Sequence, residues 1–189
     1  VYQNPACTHG GQEGKPARGG ICQFTLAGTH LFKSEDAGET FAEISDGFPI
    51  ETRTAINVIV VDPENPDIAY AMTSLHETQT AIGIYKTTNG GGSWAAVNAG
   101  LDVYTNDLQM DPLTPSILYA ATESGVYKTM DGATNWQKAS FGLPENGPVI
   151  DLALDEMNPL VLYAITPDDL FKTKDGGAHW YPVSFGIPL

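Results

Sequence analysis

Apolar and polar residues alternate along this chain in short runs, and almost every run stops at Gly, Pro, Asn or Asp. Period-two runs bounded by turn residues read as strands: Asn57 to Val61, Ile68 to Met72 and Ile84 to Thr87 form one such succession. No helix of two turns fits between the breakers. The prolines Pro63, Pro66, Pro112, Pro115 and Pro159 fall between first and second strands, where a missing N–H harms no ladder.

The succession repeats. Three segments align: INVIVVDPENPDIAYAMTS with GIYKTTNGGGSW, NDLQMDPLTPSILYAATESGVYKTMDGATNW, and IDLALDEMNPLVLYAITPDDLFKTKDGGAHW. A fourth, FTLAGTHLFKSEDAGETF, matches only the later part of the unit. The closing aromatics Phe41, Trp94, Trp136 and Trp180 are 53, 42 and 44 residues apart, a spacing suited to a four-stranded propeller blade. The expected fold class is therefore all-β, a β-propeller of four-stranded antiparallel blades, with about four blades visible and the first incomplete. The repeated Tyr70, Tyr119 and Tyr163 are expected in the core, beside small alanines that let sheets approach.

The turn between third and fourth strands carries the most specific pattern. Ser34-x-Asp36-x-Gly38-x-Thr40-Phe41, Thr87-x-Asn89-x-Gly91-x-Ser93-Trp94, Thr129-x-Asp131-x-Ala133-x-Asn135-Trp136 and Thr173-x-Asp175-x-Gly177-x-His179-Trp180 recur in step. This pattern resembles the Asp-box, or BNR repeat. An Asp or Asn side chain can accept backbone N–H groups across such a turn, Gly supplies positive φ, and the aromatic wedges between hairpins. Ala133 departs from Gly, and the expectation is that Gly132 absorbs the strain. One carboxylate per repeat in the same turn context points to a structural device rather than to metal ligation or acid/base pairs. Residues 22 to 184 resemble secreted bacterial BNR/WD40-like propellers, a repeat type shared with xyloglucanases, the sortilin luminal domain and photosystem assembly factors. That resemblance implies fold far more than function.

Composition narrows the function classes. The 189 residues hold Lys+Arg 9 against Asp+Glu 23, a formal charge of -14, so there is no basic surface for nucleic acid and anionic lipid repels the chain. No apolar run reaches membrane-spanning length, and the start without Met suggests a mature or truncated chain. Cys7 and Cys22 bracket a Gly-rich segment and are read as a disulfide, with metal ligation including His9 as the competing view. A bridge would imply an oxidising, extracytoplasmic compartment: secreted, periplasmic or cell surface. The expected organisation is a bridged segment over residues 1–24, a candidate for the first blade's missing strand, followed by the propeller over 25–189.

Function is expected on the face opposite the Asp-boxes, built from Ser45 to Ala55, Ser74 to Gly83, Asn98 to Asn106, Glu123 to Gly125, Ser140 to Val149 and Pro167 to Asp169. The segment Ser74 to Gly83 lengthens the first step and reads as an inserted loop. Arg53, His76, Glu77, Tyr104 and Glu145 are the binding-face candidates, with Tyr104 and Phe48 either sugar platforms or packing residues between blades. Among Asp-box proteins, sialidases need three arginines; only Arg18 and Arg53 stand here, which excludes that activity within this chain. No nucleophile elbow, phosphate loop, metal-ligand spacing or D-x-D-x-D-G calcium series is present, so no catalytic residue, metal or cofactor is implied. Two readings stand: a non-catalytic propeller that binds protein partners or self-assembles, and a carbohydrate-binding module or part of a glycoside hydrolase.

Overall fold

The computed structural model describes residues 23–27, 30–34, 36, 39–48, 54–75, 81–101 and 104–183, and within them every regular element is a strand. Four antiparallel sheets follow one another along the chain. The first holds β1 (Gln23–Ala27), β2 (His30–Ser34) and β3 (Ala42–Glu43). The second holds β4 (Thr54–Val61), β5 (Ala69–Leu75), β6 (Ala81–Thr87) and β7 (Ala95–Ala96). The third is β8 (Thr105–Met110), β9 (Leu118–Thr122), β10 (Gly125–Thr129) and β11 (Gln137–Lys138). The fourth is β12 (Asp151–Leu154), β13 (Leu162–Ile165), β14 (Leu170–Thr173) and β15 (Tyr181–Pro182).

Each four-stranded sheet is a meander in sequence order, as the short polar turns between its strands dictate. The first strands β4, β8 and β12 touch in succession, which sets them innermost, and the two-residue strands β7 and β11 lie at the rim. By register with the later blades, β1 is a second strand, so the first sheet lacks the innermost strand among the described residues. β1 starts at Gln23, and residues 1–22, with Cys7 and Cys22, lie outside the described residues.

Apolar side chains fill the three gaps between successive sheets. Leu31, Phe48, Ile59, Ala71 and Trp94 occupy the first gap, Tyr70, Ile84, Leu108 and Trp136 the second, and Tyr119, Val126, Leu152 and Trp180 the third. This is sheet-on-sheet burial repeated around an axis, so each blade depends on its neighbours for its core. Among the described residues, no helix is long and apolar enough to cross a membrane.

Two expectations change and one alternative is decided. The segment Ser74 to Gly83 is not wholly a loop, because Ser74 and Leu75 extend β5 and Ala81 to Gly83 begin β6, with a bulge after Thr73. Thr73 Oγ1 donates to Gly83 O at 3.1 Å and ties that extended hairpin. Gly132 does not spare Ala133: both carry φ of 67°, because the turn needs left-handed backbone at two successive residues. For Phe48 the packing alternative holds, not the platform. It is buried against the rings of Trp94 and Tyr85, at centroid distances of 4.9 and 5.2 Å.

Candidate functional site: box turns, blade joints and innermost-strand carboxyls

The box turns close on themselves. Thr129 Oγ1 donates to Asp131 Oδ1 at 2.8 Å, Asn135 N donates to the same oxygen at 2.9 Å, and Asn135 Nδ2 donates to Oδ2 at 3.1 Å. Thr173 and His179 hold Asp175 in the same manner, and Ser34 and Thr40 hold Asp36. Asn89 takes the carboxylate's place in the second blade, accepting from Thr87 Oγ1 and Ser93 N. These donors stabilise the ionised form, so the carboxyls of Asp36, Asp131 and Asp175 fall from the usual 3.8 to about 2. The leading cause is the Thr40 hydroxyl for Asp36, the Asn135 amide for Asp131 and the Thr173 hydroxyl for Asp175. A carboxylate held that far down is a fixed acceptor, not a proton carrier near neutrality.

Beyond the box lies a joint that sequence reading missed. The lysine of each third strand crosses to the next blade: Lys33, Lys86 and Lys128 Nζ donate to the carbonyls of Gly90, Gly132 and Gly176 at 3.2, 2.9 and 2.9 Å. Lys86 and Lys128 also sit over the Tyr70 and Tyr119 rings, 5.2 and 5.1 Å from the centroids. Burial pulls both ammonium pKa values down and pushes both phenols up to about 12. The indole N–H of Trp94, Trp136 and Trp180 reaches back to Ile44, Val97 and Ala139 carbonyls at 2.8, 2.9 and 2.8 Å. The backbone N–H of the same tryptophans donates to Asp46, Ala99 and Phe141 O.

The segments starting at Ser45, Asn98 and Ser140, expected as variable loops of the opposite face, begin instead as the clamp of this joint. Their chain must pass from the rim of one blade to the axis of the next, and the route runs under the next tryptophan. Gly47, Gly100 and Gly142, with φ of 90°, 89° and 96°, press so closely that an added Cβ would lie 2.2, 2.2 and 2.1 Å from the carbonyl oxygens of Trp94, Trp136 and Trp180. The recurring signal was Ser45-x-Gly47-Phe48, Asn98-x-Gly100-Leu101 and Ser140-x-Gly142-Leu143, together with the Lys before each box.

Of the binding-face candidates, Arg53, His76 and Glu77 lie outside the described residues. Tyr104 is exposed and its carbonyl accepts Glu123 N, while Glu145 is exposed in the turn Pro144 to Gly147. No described contact joins Tyr104 to Glu145. A cleft of about 510 Å³ opens between β11 and the last box, lined among others by Met130, Gln137, Lys138, Phe141 and Asp175.

A carboxyl pair that sequence reading did not single out stands on the innermost strands. Asp107 on β8 is buried, and its Oδ2 accepts Gln109 Nε2 at 2.9 Å and Leu152 N at 3.3 Å. Asp151 on β12 is exposed, and its Oδ1 accepts the same Leu152 N at 2.9 Å. One N–H thus draws both carboxylates together. Burial pushes the Asp107 carboxyl up, and the charge of Asp151 adds to the rise, against the hydrogen bonds that lower it. Asn106 joins this region to the next blade through Val149 O and to Glu123.

No family model and no curated protein matches the sequence. Solved structures do match by shape. The GH74 xyloglucanase from Xanthomonas campestris is 20% identical with a TM-score of 0.66, covering 84% of this chain and 27% of its own. YCF48 bound to D1 peptide is 17% identical at 0.58, covering 84% and 49%. The extracellular domain of a one-component system from B. thetaiotaomicron is 17% identical at 0.61, covering 85% and 20%. The chain therefore spans between a fifth and a half of the length of these structures. Its blade order and its likeness in shape to these structures give it a β-propeller fold.

Proposed function

We propose that this chain is a non-catalytic, extracytoplasmic propeller module that binds protein partners or assembles with them. The observation that carries the reading is the saturation of the repeated carboxylates. Asp36, Asp131 and Asp175 spend their acceptors inside their own turns, so the motif builds a stiff frame and offers no reacting group. The likeness in shape to YCF48 bound to D1 peptide fits a protein partner, and the likeness to an extracellular domain fits the compartment. On soluble protein, glycan-array binding and release of reducing sugar should both be absent, while a partner should co-purify in fixed ratio. Turnover of a polysaccharide by the purified chain would sink this reading.

A second reading, part of a glycoside hydrolase or a carbohydrate-binding module, is favoured by the Asp107 and Asp151 pair on the innermost strands. Glycoside hydrolysis needs two carboxyls in unlike environments, and buried Asp107, its proton affinity raised by burial, shares the Leu152 N–H with exposed Asp151. It predicts hydrolysis that Asp107→Asn abolishes.

A further inference from the structure

Two asparagines of this chain are followed by glycine, Asn89–Gly90 and Asn146–Gly147. Such a pair carries a reaction within itself. The backbone nitrogen of the glycine can attack the side-chain carbonyl carbon of the asparagine, and the absence of a Cβ on the glycine leaves that approach open. The fold puts the two pairs in opposite surroundings.

In the box turn of the second blade, every group the reaction needs is already engaged. Gly90 N donates to Asp67 O at 2.9 Å, so the nucleophile is held. Asn89 Oδ1 accepts Thr87 Oγ1 at 2.8 Å and Ser93 N at 2.9 Å, and Asn89 Nδ2 donates to Ser93 Oγ at 3.1 Å. The amide cannot swing towards Gly90 without giving up those bonds.

Asn146 is placed the other way. It is exposed on the turn Pro144 to Gly147, in the left-handed region at φ of 52°, which asparagine tolerates. Gly147 N donates to Pro144 O within the same turn at 3.2 Å, the long end of the normal range. The hydrogen bond described for the Asn146 side chain comes from Lys138 Nζ to Oδ1, at 3.2 Å. An ammonium can only donate, so it faces the oxygen on which negative charge gathers when a nucleophile adds to the amide carbon.

We propose that Asn146 is a site of spontaneous modification in the folded protein, promoted by Lys138, and that the box turn protects Asn89 from the same fate. Gly147 N, losing its proton to solvent base, forms a bond to Asn146 Cγ and closes a cyclic imide. The Cγ–Nδ2 bond breaks, and Nδ2 takes up a proton and leaves as ammonia. Water then opens the imide at one of its two carbonyls and yields aspartate or isoaspartate. One water is consumed and one ammonia released, with nothing oxidised or reduced. The inference holds whether the chain binds protein or glycan. The new carboxylate pairs with the Lys138 ammonium at the cleft that Lys138 helps to line, and it adds a negative charge beside Glu145.

The full chain, incubated in heavy-oxygen water at mildly alkaline pH with and without guanidinium chloride, tests the proposal. Peptide mapping by mass spectrometry reads conversion at each pair, and the incorporated oxygen marks what occurred during the incubation. In denaturant the two pairs should convert at similar rates. In native buffer Asn146 should keep its rate or exceed it, while Asn89 should slow about a hundredfold or more, because it reacts only from the unfolded fraction. Lys138→Met should slow native conversion of Asn146 about threefold to tenfold and leave the rate in denaturant unchanged. Lys138 is exposed on a rim strand, so circular dichroism should show that variant folded. Protection of native Asn146 as strong as that of Asn89, conversion of native Asn89 in step with Asn146, or a parental native rate in Lys138→Met would each overturn the proposal.

Discussion

Replacing Gly142 with alanine perturbs the joint at its tightest point. The residue holds φ of 96°, a region that costs an L side chain roughly 1–2 kcal/mol. The new Cβ would lie 2.1 Å from the Trp180 carbonyl oxygen and 3.1 Å from its carbonyl carbon and nitrogen, all backbone atoms that can retreat only by parting the third and fourth blades. Overpacking of that kind adds about 1–3 kcal/mol. Together the cost is about 2–5 kcal/mol, a large share of the roughly 5–15 kcal/mol that holds a domain folded. Urea unfolding followed by tryptophan fluorescence reads the loss as a fall in midpoint, and an added quencher should reach Trp180 more readily in the variant. Gly92→Ala is the control: its φ is not positive and its nearest neighbour is the Asn89 side-chain nitrogen at 3.2 Å, not a backbone atom of the next blade. If Gly142→Ala and Gly92→Ala unfold at the same midpoint, the clamp does not hold the blades together and the reasoning fails.

Other consequences follow from the same contacts. Trp136→Phe removes the indole donor and leaves the Val97 carbonyl without it, which should cost about 1–3 kcal/mol in the same urea assay. Asp107→Asn keeps an acceptor for Gln109 and Leu152 while removing a buried charge beside Asp151, so thermal unfolding near neutral pH should move upward. The box carboxyls titrate lower folded than unfolded, so their contribution is fully present above the usual 3.8 and is lost as pH falls towards about 2. Denaturant midpoints measured through that window should fall with acid, and Asp131→Asn should flatten the slope, since Asn89 already performs the same turn without titrating.

The blade order was legible because the turn chemistry is periodic. Gly, Pro, Asn and Asp mark most strand ends, and the Phe41, Trp94, Trp136 and Trp180 series gives the blade count directly. The three-stranded form of the first sheet among the described residues was legible too, since the segment ending at Phe41 has no D-P-x-N-P turn ahead of it. The joint was less so. A Lys before a box reads as an ordinary exposed residue, and only the fold brings Lys128 Nζ to the Gly176 carbonyl across 48 positions of sequence. The Asp107 and Asp151 pair was hidden for a similar reason: they lie on different innermost strands, and nothing local marks either as special. Ala133 was misjudged because Gly132 precedes it, whereas the turn fixes the backbone of both. Of the binding-face candidates, Tyr104 is exposed just ahead of β8, Glu145 is exposed on a turn, and Arg53, His76 and Glu77 fall outside the described residues.

Hydrogen exchange of the three indole N–H groups, followed by NMR on nitrogen-15-labelled protein, tests the stapled frame most directly. Trp94, Trp136 and Trp180 should all exchange slowly and through the global unfolding reaction, because each N–H is buried in a hydrogen bond to the preceding blade. Exchange of any of the three at the rate of a free indole, in protein whose strands remain protected, would contradict it.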